Sequence, residues 1–236
     1  MPRLSVADRL PEVVDAAVQV FSEKGYQATQ MADIASVLGM GAGALYNYVE
    51  SKEGLFALCL ERLLQGDAVF QNERALPVAG RSLEVTLRDV REDVGSLMWL
   101  PRLNAALKGP IPADPEQELV GVVQELYDLI HRTRHLADMV ERSARDTPEL
   151  AELLYEEARA PLLRRLEAYL RARVDAGAFE SLDDVAVGAR FVAETVTWFA
   201  RHRFHDVDGW RLDERATEAT VVGLIARAFL ARESRG

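Results

Sequence analysis

The chain has 236 residues, of which 49% are hydrophobic and 28% are charged, and its net charge at pH 7 is −10. This balance is typical of a globular protein with a substantial core and excludes a chain that is disordered throughout. The single cysteine, Cys59, excludes an intramolecular disulfide and a metal site built from several cysteines. No apolar run approaches the roughly 20 residues that cross a bilayer, and no secretory pattern opens the sequence. We therefore expect a cytoplasmic protein without membrane contact.

Helical periodicity runs through the sequence, whereas patterns typical of β-strands are nearly absent. One apolar face at helical spacing defines the first helix, formed by Val13, Ala16, Ala17, Val20 and Phe21. Gly25 is expected to end this helix, and two short helices are predicted at about 31–38 and 42–48. Ser51 is expected to cap a further helix that runs to about residue 75.

Longer helical segments follow and are separated by turns rich in proline and glycine. They are predicted from residue 82 to about 101, at 116–142, at 148–177, at about 183–204 and at about 213–232. The chain is therefore predicted to be all-α, with small helices first and a helical bundle after them.

A helix, a short glycine-containing turn and a second helix describe a helix-turn-helix. A longer run makes this motif more specific: Gly25-Tyr26, Thr29, Asp33-Ile34-Ala35, Gly39-Met40, Gly43, Leu45-Tyr46, Tyr48, Ser51-Lys52 and Leu55-Phe56. The run resembles the N-terminal DNA-binding domain of the TetR (tetracycline-repressor) family. The resemblance implies a three-helix helix-turn-helix domain over residues 1–56, followed over 57–236 by a helical bundle for effector binding and dimerisation.

The resemblance also implies where DNA is contacted. The implied positions are Thr29, Gln30, Ala42, Gly43, Ala44, Tyr46, Asn47, Tyr48 and Lys52. Thr29 is expected to cap the helix that begins at Met31 and to meet a phosphate with the same helix end. Tyr46 and Asn47 hold positions that the family uses for phosphate and base contacts, and Lys52 holds a phosphate position. For Tyr46 and Lys52 the alternative is an ordinary surface role.

The short second helix departs from the family pattern because it lacks the usual polar and basic side chains that hydrogen-bond to DNA bases. Gly41 and Ala42 stand where a serine and a polar or basic residue are typical, and Ala44 and Ala32 replace further polar residues. Asn47 is then the side chain that can pair with an adenine edge, while the alanines can touch only thymine methyl groups.

The charge of this segment also departs from what DNA binding favours. Residues 1–60 hold four basic and seven acidic side chains, so we predict weak non-specific DNA binding with a shallow salt dependence. Lys52, Arg3, Arg9 and the N–H groups at helix ends are the groups that can still face phosphates.

The resemblance also implies an effector pocket among the middle helices, and ordinary core packing is the alternative for each of its residues. The candidates are Met98, Trp99, Arg102, Leu103, Tyr127, Ile130 and Trp198. Their apolar bias favours a small hydrophobic or amphipathic ligand, with Arg102 and Asn104 as polar anchors. No cofactor is predicted.

One stripe of side chains has the composition of a metal site, formed by Asp128, His131, His135 and Asp138. On a continuous helix over 116–142 this stripe faces away from the apolar face, so a solvated surface is the favoured interpretation and no metal site is predicted.

The last two helices are predicted to form a dimer surface, with packing inside one chain as the alternative. The candidates are Phe191, Thr195, Trp198, Phe199, Val222, Ala226 and Phe229. A homodimer places two helix-turn-helix motifs on a palindromic operator in double-stranded DNA.

Three functions compete. The resemblance implies a dimeric repressor that a small effector releases from DNA. A protein of the same fold that binds a ligand and has lost sequence-specific DNA reading is the alternative. An all-α enzyme is disfavoured because no nucleophile elbow, P-loop, zinc-protease motif or other catalytic set is found.

Overall fold

A computed structural model describes residues 7–71 and 75–230, and these residues are all-α without a β-strand. The α-helices of this described part are α1 (Leu10–Lys24), α2 (Met31–Val37), α3 (Ala42–Leu45), α4 (Lys52–Gln65), α5 (Leu83–Leu97), α6 (Pro101–Lys108), α7 (Pro115–Arg132), α8 (Arg134–Ala144), α9 (Pro148–Ala151), α10 (Ala160–Asp175), α11 (Val185–Ala200) and α12 (Glu214–Phe229). A π-helical segment, Glu152–Arg159, joins α9 to α10. None of the helices described is at once long enough and apolar enough to cross a bilayer.

The helices form two compact units. Unit 1 combines residues up to Ser96 with His135–Glu157, and unit 2 combines Leu97–Arg134 with residues from Ala158 onward. The domain boundary predicted after residue 56 falls inside α4 and stays a prediction.

The core of unit 1 lies where α1 packs on α4. Phe21 and Phe56 meet edge to face with ring centres 5.0 Å apart, and the Tyr26 ring lies 4.8 Å from that of Phe56. Cys59 is fully buried in the same core. These contacts hold α1 and α4 together, and α2 packs against α1 and α3.

The core of unit 2 is formed by α6, α7, α10, α11 and α12. Arg173 is buried beside this core, where its Nε donates to Glu118 at 2.7 Å and its Nη2 donates to the Ala106 carbonyl at 2.8 Å. These contacts satisfy a charge that would otherwise be costly to bury.

Several predicted helices differ in extent from those in the structure, two of them in the longer segments. The segment 116–142 is two helices, with Thr133 between them, whose hydroxyl donates to the Leu129 carbonyl at 2.7 Å. The helix predicted to reach residue 75 ends at Gln65, where Gly66 takes a φ of 69°. The end predicted at 232 lies outside the described residues.

Candidate functional site

Two glycines set the turns of the helix-turn-helix. Gly25 ends α1 with a φ of 84°, and its N–H donates to the Phe21 carbonyl at 2.8 Å, as the sequence predicts. Gly39 takes a φ of 64° between α2 and α3. Residues with a side chain rarely adopt such positive φ angles, so both turns depend on glycine.

The start of α2 corrects the prediction for Thr29. Gln30 is the N-cap, and its N–H donates to Asp33 Oδ2 at 2.9 Å. The Thr29 hydroxyl instead donates to the Gly25 carbonyl at 2.7 Å, and the residue is 1% exposed. The Thr29 side chain therefore does not reach a surface where a DNA phosphate could meet it, whereas Gln30 is exposed.

Helix α3 is shorter than predicted because the chain after it pairs with a distant segment. The Tyr48 carbonyl accepts from Val78 N–H at 2.7 Å, and Glu50 N–H donates to the Val78 carbonyl at 3.0 Å. This pairing draws Tyr48 into the core, where it is 6% exposed, so its predicted DNA contact is wrong for the side chain.

The surface beside α3 is exposed and uncharged. Tyr46 is 50% exposed, and Asn47 is exposed next to it. Ala42, Gly43 and Ala44 form the outer turn of α3, exposed or half-buried. We call Gln30, residues 41–44, Tyr46 and Asn47 the reading surface.

Lys52 makes contacts that the sequence prediction missed. Its ammonium donates to the carbonyls of Tyr26 at 3.0 Å, Thr29 at 3.1 Å and Gln27 at 3.3 Å. The three donors of a lysine ammonium are thus used inside the protein. In this structure Lys52 joins the start of α4 to the turn between α1 and α2, and it does not present a free cation to a phosphate.

Every basic side chain described between residues 7 and 60 has a partner. Arg9 pairs with Glu12 at 3.2 Å, Lys24 pairs with Asp33 at 2.7 Å, and Lys52 binds the three carbonyls. The hydrogen bond from Lys24, followed by that from Gln30, lowers the pKa of Asp33. Arg3 lies outside the described residues.

Helix α8 fixes the end of α1, a contact that no sequence signal indicated. Tyr26 N–H donates to Ser143 Oγ at 3.1 Å, and Arg142 Nε donates to the Glu23 carbonyl at 2.8 Å. A Cβ at Gly25 would lie 3.1 Å from the Arg142 carbonyl oxygen, so glycine also permits this close approach.

A cleft of about 520 Å³ opens in unit 2 between the start of α6, α7 and α12. It is lined by Trp99, Leu100, Pro101, Arg102, Gln124, Glu125, Asp128, Arg132 and Glu218. Glu125 caps α6, because its carboxylate accepts from the N–H groups of Arg102 at 2.9 Å and Leu103 at 3.1 Å. The lining is largely polar and charged, in contrast to the apolar pocket predicted.

Only Trp99 and Arg102 of the predicted pocket residues line this cleft. Leu103 and Tyr127 are buried in the core of unit 2, and Met98 and Ile130 pack against that core. Sequence periodicity identified these side chains as inward-facing but could not separate core from cleft.

The predicted stripe of histidines and aspartates is divided by the end of α7. Asp128 and His131 lie on α7, whereas His135 and Asp138 lie on α8. His131 Nδ1 lies 3.4 Å from Glu214, and its ring is 5.7 Å from that of Phe204. Within the described residues, no three histidine, cysteine or acidic side chains are placed to hold a metal ion.

The predicted dimer residues divide into two groups. Phe191 and Trp198 are exposed, and Thr195 and Phe199 are half-buried. Val222, Ala226 and Phe229 are buried in the core of their own chain, so their assignment to a dimer surface is wrong. On α12 the large apolar residue Leu224 is 56% exposed, which the prediction missed. With Val187, Phe191 and Trp198 of α11 it forms what we call the apolar stripe.

Comparison with known proteins identifies the family. Residues 13–59 match the model of bacterial regulatory proteins of the tetR family. Residues 117–232 match the C-terminal domain of AefR-like transcriptional repressors. The chain belongs to the TetR family of transcriptional regulators. The all-α fold and helix-turn-helix predicted from the sequence are thereby confirmed.

Curated TetR-family relatives match over part of their length. The transcriptional repressor KstR2 of Rhodococcus jostii is 33% identical over 81 residues, which is 34% of this chain and 38% of KstR2. The repressor ComR of Escherichia coli is 36% identical over 87 residues, which is 37% of this chain and 40% of ComR. Each match thus covers well under two thirds of the relative.

Solved structures share the fold across almost the whole chain. PfmR of Thermus thermophilus has a TM-score of 0.53 at 22% identity, covering 98% of this chain and all of PfmR. AibR, solved with isovaleryl coenzyme A and operator DNA, has a TM-score of 0.53 at 18% identity, covering 92% and 97%. At these identities the likeness concerns the fold alone.

Proposed function

We propose that this TetR-family protein is a homodimeric regulator that binds a palindromic operator and is released from it by a small effector. The observation that carries the proposal is the helix-turn-helix in which Tyr46 and Asn47 are exposed beside α3. Repression is the mode named for KstR2 and ComR, and AibR provides a precedent for an operator and an effector on one protein. The protein acts in the cytoplasm and is not an enzyme.

Dimerisation is supported by the apolar stripe. Four large apolar side chains exposed on two adjoining helices are characteristic of a surface that another molecule covers. A two-fold axis through this surface would pair two reading surfaces, because one helix-turn-helix contacts too few bases for a specific operator.

Release requires that the effector binds another state of the dimer more tightly than it binds the DNA-bound state. A small amphipathic ligand fits the cleft of unit 2, which combines an exposed indole with charged groups. The acyl-coenzyme A bound by AibR is also an amphipathic molecule.

A second candidate is a ligand-binding protein of the same fold that has lost specific DNA reading. The observation that favours it is the pairing of Arg9, Lys24 and Lys52 within the protein, which leaves the described cations of the DNA-binding segment engaged.

Selection from a pool of random DNA duplexes at low salt decides between the two. An enriched palindrome with two half-sites supports the operator-binding dimer. A folded protein that enriches no sequence refutes it and supports the second candidate.

A further inference from the structure

The cleft of unit 2 is lined by charges of both signs. Glu125 is committed to the start of α6, but Arg102, Asp128, Arg132 and Glu218 take part in no ion pair among the described residues. Exposed charges commonly lack partners, but here four of them share one concave site with an exposed indole.

Asp128 and Glu218 place two interacting carboxylates in the lining of the cleft. Glu218 faces Asp128 and Glu214, and only His131 opposes them. Partial burial, followed by the charges of Asp128 and Glu214, raises the pKa of Glu218. A cation placed between Asp128 and Glu218 would relieve this repulsion.

The two arginines lie on either side of this acidic pair along α7. Arg132 follows Asp128 by four residues, which is about 6 Å along a helix. Arg102 lies over Gly121, since a Cβ there would come within 2.6 Å of Arg102 Nη1. The absent side chain of Gly121 lets this guanidinium rest against α7.

Trp99 adds an aromatic group to the lining of the cleft. Its side chain lies just before α6, lines the cleft and is 58% exposed. An indole presents a flat apolar face on which an aromatic ring can stack. The lining of the cleft therefore combines an aromatic surface, an acidic pair and two cations.

We propose that the cleft binds a zwitterionic small molecule with an aromatic body, of which an aromatic α-amino acid is the simplest case. Its ring stacks on Trp99, its ammonium lies between Asp128 and Glu218, and its carboxylate meets Arg132. The role of the cleft as the effector site of the regulator rests on the proposed function. Its ability to bind this ligand does not depend on that function.

Three probes with the same ring test the charge requirement in the absence of DNA. L-tryptophan carries both charges, tryptamine only the ammonium, and indole-3-propionate only the carboxylate. Calorimetric titration of the full chain should show the tightest binding for L-tryptophan. The other two should bind about tenfold or more weakly, the loss expected for one charge-assisted hydrogen bond. No binding of L-tryptophan, or equal affinity for the three probes, overturns the proposal.

Charge-neutralising variants locate the two contacts separately. Asp128→Asn should weaken tryptamine about tenfold and leave indole-3-propionate unchanged, and Arg132→Gln should do the reverse. Glu116→Gln is the matched control, because it removes one charge from the exposed start of α7, outside the cleft. Trp99→Leu should weaken all three probes alike. If Asp128→Asn and Arg132→Gln change the probes in parallel, the assignment of the two charges is wrong.

The two proposals fail in different measurements. If L-tryptophan binds but no operator is enriched, the cleft stands as a ligand site and the proposed function is refuted. If an operator is enriched and L-tryptophan binds without changing operator affinity, the effector role of the cleft is refuted.

Discussion

The ammonium of Lys52 lies 3.0 Å from the carbonyl oxygen of Tyr26 and 4.7 Å from the centre of the Tyr26 ring. The hydroxyl of Tyr26 in turn donates to Glu53 at 3.2 Å. Lys52 and Glu53, at the start of α4, thus both bind Tyr26 in the turn before α2. The position of the reading surface relative to α4 is therefore fixed by contacts inside the protein.

Replacing Lys52 should destabilise the fold. Lys52→Met leaves three backbone carbonyls without their donor, so we expect the free energy of unfolding to fall by about 1–3 kcal/mol. Urea unfolding followed by circular dichroism measures the change. Lys24→Met is the control, because Lys24 pairs with Asp33 at the surface, where an ion pair contributes little to stability. Equal losses in the two variants would show that the Lys52 contacts stabilise no more than a surface pair.

The stability of the protein should fall between pH 10 and pH 12 in part through Tyr26. Burial, followed by the charge of Glu53, raises the pKa of Tyr26 from 10.0 to about 12. A raised folded-state pKa stabilises the protein below the unfolded value, and this contribution disappears as pH rises through the folded value. Tyr26→Phe should therefore lose less stability than the wild type from pH 9 to pH 11.5.

Unfolding curves at several pH values test this expectation. Tyr127, whose pKa burial and Glu214 also raise to about 12, supplies part of the remaining slope. Parallel curves for the wild type and Tyr26→Phe would exclude a contribution from Tyr26.

DNA binding should depend on Asn47 for base preference and on Tyr46 for affinity. Asn47→Ala should cost about 1–3 kcal/mol of binding to the selected duplex and relax the preference at one base position of each half-site. Tyr46→Ala should weaken binding to every sequence if its hydroxyl contacts a phosphate. Tyr48→Phe is the matched control because Tyr48 is buried, and it should leave base preference unchanged. A change of preference in Tyr48→Phe alone would contradict the assignment of the reading surface.

Disrupting the apolar stripe should produce monomers. Phe191→Glu and Leu224→Glu place a charge on exposed apolar positions, so the fold should survive while association weakens at least about tenfold. Sedimentation velocity at micromolar concentration measures the shift. Val207→Glu is the control, because Val207 is exposed but lies outside both helices of the stripe. Dimers that persist in both stripe variants would place the interface elsewhere.

Local signals predicted the helix-turn-helix well. Gly25 ends α1, Gly39 forms the next turn, and Ser51 caps α4 by accepting from Gly54 N–H at 3.1 Å. Each of these features depends on residues adjacent in sequence, which is why periodicity and capping preferences indicate them.

Features that depend on distant partners escaped prediction. The pairing with Val78 ends α3 and buries Tyr48, and the carbonyls that hold Lys52 lie more than 20 residues before it. On α12, Val222 and Leu224 are both apolar, and only the tertiary structure shows that Val222 is buried and Leu224 exposed. The charged cleft was likewise hidden, because its lining comes from three separate helices.

The salt dependence of binding to the selected palindrome tests the central claim most directly, with a scrambled duplex as reference. Because Arg9, Lys24 and Lys52 are engaged within the protein, we predict fewer than about four phosphate contacts per dimer. A plot of log affinity against log salt should then have a slope shallower than about −4, and preference for the palindrome should persist at high salt. A much steeper slope, or equal affinity for the two duplexes, would contradict sequence-specific reading by an uncharged surface.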